Sequence, residues 1–145
     1  MINEIMDAVT NRLDELFPDC RIYTDAVEQG LETPCFFVSV LEPAERQMIG
    51  QRYFREAGFV IQYLPDEAET DSINRNINQV LEALFDGMEY ITLADGKIMN
   101  GTKRNSKVEE EILHFFVSYN CFVIKKASFK EAMDFMETDI SLKGD

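Results

Sequence analysis

The chain has 145 residues, the size of one ordinary domain, and an apolar fraction of 46% that suits a packed core and argues against disorder. Its net charge of -13, from 27 acidic and 14 basic residues, opposes generic nucleic-acid binding, because phosphate contacts need clustered lysine and arginine. No apolar run reaches the ~18 residues of a spanning helix, and the acidic, helically periodic N-terminus is wrong for a secretory signal. The expectation is a soluble single domain over residues 1–145, cytoplasmic when made.

Taken in order, Ile2, Met6, Val9, Leu13, Leu16 and Phe17 recur at steps of three or four and predict a first helix over 2–17. Pro18 ends it, since the residue before proline is pushed out of the helical region. A short strand follows within 20–27, centred on Arg21 to Thr24, then a loop from Glu28 to Thr33. Residues 34–65 form the centre of the chain. Two strands, Cys35 to Leu41 and Tyr53 to Leu64, are rich in β-branched and aromatic residues and are bracketed by Pro34 and Pro65. Phe59, Ile61 and Tyr63 alternate with Gly58, Val60 and Gln62, so one face is the greasier.

The polar elbow between these strands, Pro43 to Gly50, carries Met48 and Ile49 at an exposed tip. One reading is a strand extension that twists away from the core. The other is an arm that lays its apolar tip on a neighbouring subunit, as exposed apolar patches mark contacts.

Ile73, Ile77, Val80, Leu81 and Leu84 predict a second helix over 71–86, with Thr70 or Asp71 as cap and Gly87 in a left-handed C-cap. Asp95-Gly96 between Tyr90–Leu93 and Lys97–Asn100 predicts a tight hairpin. Asn100 to Lys107 is polar and basic and reads as a mobile loop, and Glu109 to Glu111 lead into a third long strand, Ile112 to Ile124. Ser128 could cap a turn through Phe129 to Met133. Met136 to Leu142 alternate as a last edge strand, and Lys143 to Asp145 form a frayed tail. The fold class expected is α+β: a mostly antiparallel sheet with long strands, packed by an N-terminal and a central helix.

The catalytic inventory is thin. His114, the single histidine, lies inside a strand between Leu113 and Phe115, where packing explains it better than catalysis. Cys20, Cys35 and Cys121 lack zinc or CxxC spacing and read as reduced thiols, the latter two packing as small hydrophobes. No phosphate-cradling glycine loop, dinucleotide fingerprint or nucleophile elbow is present. Carboxylate neighbours such as Asp66-Glu67 and Glu109 to Glu111 fall at turns and strand starts and read as solvated faces. Asn100-Gly101-Thr102 matches a glycosylation acceptor that has no secretion signal to serve it. The expectation is a protein that is not an enzyme and holds no metal or cofactor.

The order of elements nevertheless has a resemblance. The first helix, Pro34 to Val38, the arm, Arg52 to Arg55, Phe59 to Pro65, the central helix, the Asp95-Gly96 hairpin and Leu113 to Asn120 together are similar to the tail terminator proteins of phages and prophages of Gram-positive bacteria. It covers residues 2–142. The resemblance implies α+β subunits assembling into a ring, usually a hexamer, at the head-proximal end of the tail tube. Such a ring stops tube polymerisation and faces the head connector, so its partners are the tube protein and the head-tail connector protein, with assembly in the host cytoplasm. DNA passes through it, which an acidic, non-binding inner wall would suit. Arg46, Met48, Ile49 and Arg52 in the arm, and Lys103, Arg104 and Lys107 beyond the hairpin, are the expected contacts to neighbours or tail partners. A monomeric or dimeric binding or adaptor module remains the rival class, and another head-tail connector component the hardest to exclude.

Overall fold

The computed structural model describes residues 1–24, 30–66 and 72–126. Eight elements follow one another: α1 (Ile2–Leu16), β1 (Arg21–Tyr23), β2 (Cys35–Gln47), β3 (Arg52–Leu64), α2 (Ile73–Gly87), β4 (Tyr90–Thr92), β5 (Ile98–Glu109) and β6 (Ile112–Ile124). The strands form one curled sheet in the order β1-β2-β3-β6-β5-β4. Among the described residues only the β1–β2 pair is parallel. This is the α+β fold, with the N-terminal and central helices, that the sequence predicts.

The period-two pattern sorts each long strand into two faces. Phe36 and Val38 of β2, Phe59, Ile61 and Tyr63 of β3, and Leu113, Phe115, Val117 and Tyr119 of β6 point to one side and are buried. Against them pack Ile5, Val9 and Leu13 from α1 and Ile77, Val80 and Leu84 from α2, giving one continuous core. Phe17 stacks on Phe36, and Phe85 meets Phe115 edge-on, so aromatic rings join helices to sheet.

The C-terminal end of α2 is held by three other elements. No basic residue lies in its own last turn. Instead Arg12 of α1 donates from Nε to the Gly87 carbonyl at 2.9 Å, and Arg104 of β5 donates from Nη1 to the Phe85 carbonyl at 2.6 Å. The buried Tyr119 hydroxyl of β6 donates to the Met88 carbonyl at 2.7 Å. Guanidinium groups at the negative end of the helix dipole satisfy carbonyls that the helix leaves open.

Three expectations are corrected here. Asn100 to Lys107 is not a loop: it belongs to β5 and pairs with β6 from Gly101↔Tyr119 to Glu109↔Ile112. Its polar residues face solvent along an edge, and a bulge between Thr102 and Asn105, where Lys103 takes φ 52, interrupts the alternation. The strand after Pro34 does not stop at Leu41 but continues to Gln47 across a second bulge at Glu42-Pro43, with Glu42 at φ 36. Gly87 is not a left-handed cap; it is the last residue of α2, and any Cβ there would collide with the Leu16 side chain. Close packing of α1 on α2, not a left-handed φ, favours a glycine there, since a Cβ would have to push the end of the Leu16 side chain aside. The short strand expected around Arg21 to Thr24 is present as β1, Arg21–Tyr23, and residues 25–27 of its expected span lie outside the described ones.

Several readings fall outside the described residues: the cap at Thr70 or Asp71, the start of the Glu28–Thr33 loop, the Ser128 turn, the Met136–Leu142 strand and the tail.

Candidate functional site

The two bulges lie on one row across the sheet, Leu41–Gly58–Ser118–Thr102, and beyond it β2, β3 and β6 run on together. The arm is therefore three-stranded: Ala44–Gln47 pairs with Tyr53–Glu56, which pairs with Asn120–Val123. Three strands with cross-strand aromatic pairs hold their shape where an isolated hairpin is marginal. On one side of the arm the Phe54 and Phe122 rings meet tilted, 5.3 Å between centres, with Arg46 at 5.1 Å over Phe54 and Arg52 at 5.8 Å over Phe122. On the other side Glu45 accepts from both Arg55 Nε and Lys125 Nζ at 2.7 Å, while Lys125 lies 4.3 Å over the Tyr53 ring. The hydrogen bond from Lys125, then that from Arg55, holds the Glu45 carboxyl below its ordinary range.

The tip is a short turn in which Met48 N–H donates to the Arg52 carbonyl and Arg52 N–H to the Ile49 carbonyl, with Gly50 at φ 65. That turn presents apolar surface to solvent: Ile49 is 91% exposed and Met48 42%, with Phe122 at 58% and Ile124 at 66% beside them. The surrounding charge is basic. Arg46, Arg52, Arg55, Lys125 and Lys126 stand against only Glu45 and Glu56 in residues 44–56 and 120–126, in a chain of net -13. Among the described residues neither Arg46 nor Arg52 has a carboxylate partner.

The structure thus brings Arg46, Met48, Ile49 and Arg52 together at one tip. It places the other three candidates along β5. Lys103 bonds Glu56 at 2.6 Å, Lys107 reaches Glu109 at 3.2 Å, and Arg104 is spent inside the subunit on α2. Sequence reasoning missed Phe54, Phe122 and Ile124, because nothing in the sequence says that the end of β6 lies beside the tip of a hairpin some seventy residues earlier; the Arg-Tyr-Phe-Arg run was the one available signal.

Chemistry elsewhere is sparse. Among the described residues no three His, Cys, Asp or Glu side chains converge to hold a metal, and no helix is long and apolar enough to cross a membrane. Cys20, Cys35 and Cys121 are free thiols, and burial pushes the first two above the usual thiol range, away from nucleophilic chemistry. His114 is half-buried on β6, opposite Gln62 and Lys107.

A comparison with curated proteins finds no match. One solved structure whose title names no function is similar at 11% sequence identity and a TM-score of 0.41, covering 87% of this chain and 96% of that one. A likeness at that level carries no argument. The family model of phage tail terminator proteins matches residues 4–131, from the first turn of α1 through all of the sheet and the arm. The chain belongs to the phage tail terminator protein family, whose members are structural, non-enzymatic components of the virion tail.

Proposed function

We propose that the chain completes the tail as a ring of six copies that closes the head-proximal end of the tail tube, halts polymerisation and joins tail to head. One observation carries this reading beyond family membership: a braced three-stranded arm that ends in a solvent-facing Met48-Ile49 tip. A subunit that works alone gains nothing from such a surface; a subunit in a ring buries it on its neighbour, since head-to-tail contacts related by rotation close. Arg46, Met48, Ile49 and Arg52 are the residues we assign to that contact, with Lys103 and Lys107 on the β5 edge facing tail or connector protein. The -13 charge suits a wall past which DNA moves without binding. No bond is made or broken by the chain in this role.

The test is a phage in which this gene carries an early stop codon, viewed by electron microscopy. Overgrown tails that lack heads are expected, restored to normal length by the wild-type chain supplied in trans and not by Ile49→Asp. Tails of normal length joined to heads in its absence would overturn the reading.

A further inference from the structure

At the opposite end of the sheet from the arm there is a cavity of about 220 Å³. Leu64 and Pro65 after β3, Ile73 at the start of α2 and Ile112 at the start of β6 give it an apolar side, and Thr33, Asp66, Glu110 and Glu111 complete its lining. The space is several times the ~30 Å³ share of one liquid water molecule, so a side chain can enter it. Glu110 and Glu111 form the two-residue turn from β5 to β6, and neither makes an ion pair among the described residues. Both lie in the left-handed region, at φ 51 and φ 61, where such turns favour asparagine and glycine. The two carboxylates are thus held in a conformation that their own residue type does not favour.

We infer that this cavity receives the arm tip of a second copy of the chain, Ile49 entering between Leu64, Ile73 and Ile112 while Arg46 and Arg52 meet Glu110 and Glu111. The match is of two kinds. An apolar tip flanked by two guanidiniums that have no carboxylate partner among the described residues faces an acidic cavity with an apolar side, where Glu110 and Glu111 make no ion pair among the described residues. Charge complementarity of that kind selects the partner and speeds encounter. Because the two surfaces sit at opposite ends of β3 and β6, one subunit cannot satisfy itself; according to the rotation between copies the contact closes as a reciprocal pair, closes into a ring or extends as a filament. This rests on the arm being an assembly element and adds the surface that receives it.

The experiment is sedimentation velocity on the full chain over a concentration series, at low and moderate salt. Self-association is expected to weaken with salt and to fall at least tenfold in Ile49→Ser, in Arg46→Glu/Arg52→Glu and in Glu110→Lys/Glu111→Lys, each retaining its thermal midpoint. Combining both charge reversals in one chain restores it. A wild-type chain that stays monomeric to about 1 mM, or an association that ignores the Glu110 and Glu111 reversal, overturns the docking. Failure here with tails still dependent on the protein leaves the tail-completion reading standing; normal tails without the protein overturn that reading instead.

Discussion

Tyr119 shows what one residue decides in this fold. It lies wholly buried beneath α2, and its hydroxyl is the partner of the Met88 carbonyl. Burial raises its pKa, with Arg104 and Arg12 pulling weakly the other way. The folded chain therefore keeps this proton at pH values where the unfolded chain, titrating near the ordinary tyrosine value of about 10, has lost it. The unfolded state then binds fewer protons, so stability is fully present below about pH 10 and declines as pH rises above it. Tyr119→Phe should cost about 1–3 kcal/mol at neutral pH by stranding the Met88 carbonyl, and should show a shallower alkaline decline in denaturant titrations. Equal slopes for the two chains would refute the assignment. The sequence put this tyrosine in the third long strand but could not name its partner, which comes from a helix end about thirty residues earlier.

At the scale of elements, both helices, the Asp95-Gly96 hairpin and all of β6 could be read from periodicity and turn chemistry, because each is amphipathic or punctuated in its own sequence. The stretch from Gly101 to Lys107 could not. Edge strands carry charge to discourage unwanted pairing, and in sequence that protection looks like a loop. Its true character appears only with β6 beside it. The same strand separates two basic residues that sequence grouped together. Lys103 is an exposed partner of Glu56, whereas Arg104 caps α2. Arg104→Ala should lower stability by about 1.5–3 kcal/mol, the worth of a hydrogen bond involving a charged group, seen as a reduced melting temperature with tail completion intact at permissive temperature. Unchanged melting would return Arg104 to the list of partner contacts.

Across the whole molecule, charge is organised in a way no stretch of the chain announces. The basic residues of the arm sit at 46, 52, 55, 125 and 126 and meet only because β2, β3 and β6 pair. The glutamates of the far turn are local in sequence, but the apolar side of their cavity is assembled from three separate elements. Helix and strand existence was thus readable, the arm tip was readable as a surface, and the receiving cavity was not, since it exists only where the end of β3, the start of α2 and the start of β6 converge.

The pairing of β3 with β6 runs from Arg52↔Ile124 to Tyr63↔Leu113 without a bulge, although both flanking pairings contain one. At ~3.4 Å per residue, β6 spans roughly 40 Å, so this uninterrupted pair works as a ruler between the two ends of the subunit. In an assembly joined end to end, the repeat distance is set by counting residues in two strands, not by loop conformation. Removing one facing two-residue step from each strand keeps every side chain on its face and should shorten the repeat by about 7 Å, measurable in averaged electron micrographs; an unaltered spacing would show that some other part of the subunit keeps the measure.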